Sequence, residues 1–329
     1  MIARGAPHAH PSACPSGKRS GAASCYAPGN GRAPPRSRAI ESTMIDRRFT
    51  LPSGRGLAWA EFGAPAGVPV IYCHGFPGSR LEPAFAHRVA SAMGARIIAI
   101  DRPGLGASQP CPGRSIAGWA DDVRHLADHL RLDALRVLGV SAGAPYALAC
   151  AYRLAERTHS VAIVSGLAPA QCLGHAPAAS ACALTLRMSA TLPWTAGVVA
   201  GVLGVMARQA SPLLLRMLSA RAPERDRRSL NDGEFRAMLA ASLREAFRCG
   251  SGGAASDLRL LARPWGFALE ELHRPIRLWH GEQDRTVPAA MGRCLQRALP
   301  ACHATYLEAH GHYSLAHEHM EAILSRLID

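Results

Sequence analysis

Short apolar runs bounded by turn residues recur along the chain at Val68 to Cys73, Arg96 to Ile100, Leu135 to Val140, Ser160 to Val164, Ile276 to Trp279 and His303 to Leu307. Each is read as a strand of one sheet, because an unbroken apolar run is what a strand covered on both faces requires. Apolar residues at helical spacing fill Ile116 to Leu130, Ala144 to Leu154 and Met320 to Leu327. Two further segments, near Phe49 to Leu51 and Leu57 to Phe62, are expected to pair antiparallel at the sheet edge. The alternation predicts an α/β fold: a mostly parallel eight-stranded sheet with helices on both faces.

Residues 168–262 break this rhythm, being almost wholly helical in pattern, and are expected to form a helical cap inserted into a core of residues 44–167 and 263–329. Within the insertion, Leu192 to Met206 is apolar but carries Pro193 and several glycines, and it falls short of the roughly 18 residues of a membrane span. No membrane span is expected, and the stretch is read as a helix lining an apolar pocket. Arg221 to Arg228 is expected to be a solvated turn between cap helices, and Gly250 to Gly253 another turn. Residues 1–43, rich in Pro, Gly, Ser, Ala and Arg and without periodicity, are expected to be disordered. Met44, followed at once by a patterned segment, is the expected translation start, with a targeting peptide as the alternative.

At 329 residues, the chain is long enough for one large core with an insertion. Its formal charge of +13 comes almost entirely from arginine, with Lys18 the only lysine. The arginines stand singly and are not interleaved with aromatic residues, so nucleic acid is not the expected partner. The 10 cysteines show no CxxC pair and no zinc-ligand spacing, which predicts free thiols in a reducing, cytoplasmic compartment.

The chemistry concentrates in a few places. Gly139-Val140-Ser141-Ala142-Gly143 lies between a predicted strand and a predicted helix, where a G-x-S-x-G turn pushes a serine hydroxyl into the cleft. His74-Gly75-Phe76-Pro77-Gly78 closes an earlier strand, and the backbone N–H groups of Phe76 and Ala142 are the candidate oxyanion donors. Asp284 follows the strand ending at Trp279, with Glu282 as the rival acid. The histidines His310, His312, His317 and His319 crowd one segment, and a metal site built from His310, His317 and His319 is the alternative to surface histidines.

Taken with Asp101-Arg102-Pro103-Gly104-Leu105-Gly106-Ala107-Ser108, His280-Gly281-Glu282-Gln283-Asp284-Arg285-Thr286-Val287-Pro288 and Gly311-His312, these motifs resemble the α/β-hydrolase superfamily over residues 45–329. The resemblance implies Ser141 as nucleophile, His312 as general base and Asp284 as the acid that orients it. It also implies a structural role for the Asp101–Ser108 loop. The expected enzyme is a serine hydrolase acting on a small carboxylic ester or related acyl substrate through an acyl-enzyme, with no cofactor and no metal. An aminopeptidase, a thioesterase, a C–C bond hydrolase, an acyltransferase and a non-catalytic receptor using the capped pocket stay open. Phe76, where proline iminopeptidases usually carry a second glycine, leans away from the peptidase. Oligomeric state is not readable from the sequence.

Overall fold

The computed structural model describes residues 45–175 and 180–329; the expectation for residues 1–43 falls outside them. Eight strands form one sheet: β1 (Ile45–Thr50), β2 (Gly56–Gly63), β3 (Val68–Cys73), β4 (Ala95–Ile100), β5 (Leu135–Val140), β6 (Thr158–Val164), β7 (Ile276–Gly281) and β8 (Cys302–Leu307). Their spatial order is β1-β2-β4-β3-β5-β6-β7-β8. The β1–β2 and β2–β4 pairs are antiparallel and the remainder parallel.

Alternation along the central strands divides the core. Ile71, Ile98, Val137 and Ile163 point to one face, where they pack against α2 (Trp119–His129), α3 (Ala144–Arg153) and α10 (Ala289–Ala298). Val70, Ile97, Leu138 and Val164 point to the other, against α1 (His87–Ala92) and α11 (His312–Ile328). Both faces are therefore apolar, which is why these strands read as continuous runs and not as alternating ones.

Between β6 and β7 run the helices α4 (Ala181–Thr191), α5 (Thr195–Gln209), α6 (Ser211–Arg221), α7 (Glu224–Asn231), α8 (Gly233–Ala246) and α9 (Gly252–Leu261). Two expectations are corrected here. Arg221 to Arg228 is not a solvated turn, because α7 begins at Glu224 and Asp226 is buried on it. The cysteines are not all free thiols: Cys172 and Cys294 form a disulfide that ties the start of the insertion to α10, and Cys111 is likewise disulfide-bonded. The turn near Gly250 is present, with φ +96° at that glycine, but Gly252 and Gly253 already open α9.

Candidate active site

β5 delivers Ser141 to the cleft. Val140 ends the strand and α3 starts at Ala144, so the chain reverses within the five-residue motif. Ser141 has φ +55°, a left-handed conformation that a residue with a Cβ seldom adopts. The flanking glycines answer to space: a Cβ on Gly139 would lie 2.8 Å from that of Ala147, and one on Gly143 would lie 2.0 Å from the carbonyl oxygen of Cys73. The start of α3 is thereby pressed against the end of β3, with its N-terminal dipole beside the serine.

Asp284 lies in the loop after β7. Its Oδ1 accepts from the N–H groups of Thr286 (2.8 Å) and Val287 (2.7 Å), and its Oδ2 lies 2.8 Å from His312 Nδ1. This arrangement makes Nδ1 the donor and leaves the lone pair on Nε2. Burial works against a charged His312, but the carboxylates around it, Asp284 foremost with Asp226 and Glu82 adding to it, together outweigh burial and hold the imidazole pKa above its ordinary value. Ser141 and His312 both line a cavity of about 210 Å³. Glu282, the rival acid, is committed instead to Arg293 at 2.5 Å.

His312 opens α11, and its placement depends on the insertion. Asp226 on α7 accepts from the N–H groups of His312 (2.8 Å), Tyr313 (3.1 Å) and Ser314 (2.9 Å) and from the Ser314 hydroxyl (2.7 Å). One carboxylate from the insertion thus satisfies the unpaired amides at the helix start.

The loop after β3 is held through the Gly75–Phe76 peptide. The Gly75 carbonyl accepts from Arg102 Nη2 (2.9 Å) and from His74 Nδ1 (2.9 Å), while Arg102 Nη1 donates to the His74 carbonyl. A trans peptide carries its N–H opposite its C=O, so fixing this carbonyl also aims the Phe76 N–H. Arg102 is held in turn by Asp257 on α9, whose other oxygen takes Arg114 (2.7 Å) and the Tyr146 hydroxyl (2.7 Å). Burial opposes the Asp257 charge, yet the two arginines keep its pKa well below the usual carboxylate range. On the other side of Gly75, both oxygens of Glu82 accept its N–H at 3.0 Å, and Tyr72 donates its hydroxyl to Oε1 at 2.9 Å. Burial raises the Glu82 pKa, and this carboxyl lines the same cavity as Ser141 and His312.

A second cavity of about 390 Å³ meets Ser141, Phe76 and Ala142 and continues between α4, α5 and α6. Met217 lines it, and Phe235 and Met238 line the smaller one. Trp194, within the stretch expected to line the pocket, faces outward at 65% exposure, as does Met188 at 42%. One group of side chains among the described residues packs closely enough to ligate an ion: His310, Glu318 and His319. Arg225 Nη1 lies 2.8 Å from both His310 Nε2 and Glu318 Oε2, so a guanidinium occupies the position an ion would take. His317 is apart from this group, its ring centroid 4.4 Å from that of Phe235.

The strained serine elbow, the Asp284–His312 pair and the loop after β3 occur on a fold that a family model, described as the alpha/beta hydrolase fold, matches over residues 68–316. The chain belongs to the alpha/beta hydrolase fold family. It is similar to the pimeloyl-[acyl-carrier protein] methyl ester esterase of Aromatoleum aromaticum, 28% identical over 218 residues that cover 64% of this chain and 77% of that protein. Among solved structures, an alpha/beta hydrolase fold protein from Nakamurella multipartita shares the fold at TM-score 0.64 and 20% identity, covering 86% of this chain and 99% of that one. A thermophilic esterase from Thermogutta terrifontis does so at TM-score 0.61 and 21% identity, over 86% and 97%.

For this α/β-hydrolase, sequence reasoning overlooked Glu82, Asp226 and Asp257, and within the Asp101–Ser108 loop it did not single out Arg102, which holds the Gly75 carbonyl. Asp257 left a signal, as the only acid between Glu245 and Glu270, in a helix whose one other charge is Arg259. Asp226 left none, because Glu224, Arg225, Arg227 and Arg228 around it have the composition of an exposed turn.

Proposed function

We propose that the enzyme hydrolyses carboxylic esters through Ser141, His312 and Asp284, with an acyl-enzyme intermediate. The observation that carries this reading is the 2.8 Å contact between His312 Nδ1 and Asp284 Oδ2 beside a serine held at φ +55° on the shared cavity. His312 Nε2 takes the hydroxyl proton as Ser141 attacks the ester carbonyl, and Asp284 stabilises the imidazolium that forms. The N–H groups of Phe76 and Ala142 hold the oxyanion, each contributing about 3 kcal/mol to the transition state. His312 then protonates the departing alcohol, and water releases the acyl group by the same route. The apolar lining of the larger cavity supports an acyl chain as occupant, and helices α4 to α9 act as the cap over it. The relative named for methyl ester cleavage supports an ester over an amide.

A fluorophosphonate probe and a series of p-nitrophenyl esters of graded acyl length test the reading. Ser141 takes the label, and Ser141→Ala loses turnover by on the order of 10⁶-fold. Unchanged turnover in that variant, or labelling elsewhere, sinks the mechanism.

A further inference from the structure

The large apolar side chains left exposed among the described residues all lie between Leu184 and Met217, on α4, α5 and α6 and in the turn that joins α4 to α5. They are not scattered over those helices. Trp194 (65%), Val198 (55%), Val202 (56%) and Val205 (49%) recur at helical spacing and form one outward stripe of α5. Leu184 and Met188 repeat the spacing on α4, which packs beside α5, and α5 packs in turn on α6. The opposite face of α5 sends Val199 and Leu203 into the larger cavity. The helix is therefore apolar both toward the pocket and toward solvent, which exceeds what lining a pocket requires.

Charge identifies the occupant. Residues 157–223 contain no Asp or Glu, while Arg187, Arg208, Arg216 and Arg221 stand exposed on the same three helices. Arg208, Arg216 and Arg221 enter no ion pair among the described residues. A second copy of this chain would set these arginines against one another with no carboxylate between them. An anionic surface neutralises them, and a lipid surface also takes the apolar stripe and a tryptophan at its end. No single helix among the described residues is long and apolar enough to cross a membrane, and α5 and α6 meet at a bend of 112°.

We propose that the outer face of α4, α5 and α6 docks on an anionic lipid surface. The stripe enters the headgroup boundary while the arginines meet the lipid phosphates. On the esterase reading, and only for this step, an acyl chain leaving the lipid passes between Leu186, Val199, Leu203 and Leu214 toward Ser141.

The test is co-sedimentation of the full chain with vesicles of phosphatidylcholine alone, and of phosphatidylcholine with phosphatidylglycerol in equal parts. Binding is expected to the mixed vesicles only and to weaken as salt is raised. Trp194→Ser combined with Val198→Ser and Val202→Ser is expected to abolish it. Arg208→Gln and Arg216→Gln are each expected to lower the partition constant about fivefold. Hydrolysis of a water-soluble short ester by all these variants is expected to match that of the parent, which shows that they fold and keeps the surface claim separate from the esterase reading. Failure to bind mixed vesicles, equal binding to both vesicle types, or a concentration-dependent dimer dissolved by the serine substitutions would each overturn the proposal.

Discussion

Asp226→Asn is the sharpest perturbation of the site from outside it. Three of the four hydrogen bonds Asp226 accepts go to Oδ1, and the fourth joins Oδ2 to the His312 N–H at 2.8 Å. If the asparagine oxygen keeps the three, its NH₂ is set against the His312 N–H, and two buried donors face each other. Losing a charge-assisted hydrogen bond costs about 1.5–3 kcal/mol, and losing the negative charge at a helix start about 0.3–1 kcal/mol more. The sum is roughly 2–4 kcal/mol, or about 3–6 °C in melting temperature for a chain of this size. Displacing the first residue of α11 also moves the imidazole, and a shift near 1 Å costs on the order of 10²-fold in kcat. Gly311→Ala reaches the same contact from the opposite side, since its Cβ would lie 2.3 Å from Asp226 Oδ2. Thermal melting and ester kinetics on Asp226→Ala, Gly311→Ala and the pair form a cycle in which the glycine change costs less once the carboxylate is gone. Strict additivity, or an Asp226→Asn enzyme with parental melting temperature and kcat, would refute the reasoning.

Four other outcomes are expected. Because Asp284, with Asp226 and Glu82 adding to it, holds the His312 pKa above its ordinary value of about 6.5, the neutral base is lost on acidification from a higher pH than usual, and the acid limb of kcat/KM centres above that figure; a lower midpoint contradicts the pairing. Asp257→Asn loosens Arg102 and with it the Phe76 N–H, so affinity for a phosphonate transition-state analogue drops tenfold or more while KM stays within twofold; parallel losses in both would mean the clamp acts elsewhere. Glu82→Gln retains an acceptor for the Gly75 N–H but removes a negative charge near His312, so the acid limb moves to lower pH with kcat nearly intact, whereas Glu82→Ala loses kcat; an unmoved limb in the glutamine variant counts against that coupling. Cys294→Ser opens a cross-link between residues 122 apart in sequence and lowers stability by about 2–4 kcal/mol in denaturant titration, and an unchanged midpoint would show that the bond does not constrain the chain.

Much of this molecule is legible before folding because its strands are buried on both faces. Leu135 to Val140 is predicted residue for residue, as apolar runs between turn signals require, and the elbow follows it. Less legible is where α11 begins. Periodicity recovers Met320 to Leu327, whereas the helix starts at His312, where Asp226, 86 residues away in sequence, takes the unpaired N–H groups of its first turn. The same blindness to distant partners explains why Arg221 to Arg228 was expected to be solvent-facing. A carboxylate within a charge run and a carboxylate on a helix terminus have the same sequence signature until the partner helix is in place. Trp194 fails differently: it belongs to an apolar stretch with two apolar faces, and hydrophobicity does not say which one meets the pocket.

The insertion holds both halves of the proposed machinery. Asp226 on α7 sets the first residue of α11, and with it the proposed base; Asp257 on α9 sets Arg102, and through the Gly75 carbonyl the proposed oxyanion donor. A third contact comes from α8, where Glu245 meets the buried Arg80 at 2.7 Å, and Ser242 accepts the Ser79 N–H at 3.1 Å. These attachments lie on α7, α8 and α9, while the exposed apolar stripe and the arginines lie on α4, α5 and α6. The insertion is thus divided into a half that grips the core and a half that faces outward. A substitution on the exposed stripe of the outward half leaves the base and the oxyanion donor with every contact described above, whereas one at Asp226 or Asp257 on the gripping half disturbs catalysis without touching substrate. Surface binding and turnover are therefore expected to separate by helix, with Val198 and Val202 affecting only the first and Asp226 and Asp257 principally the second.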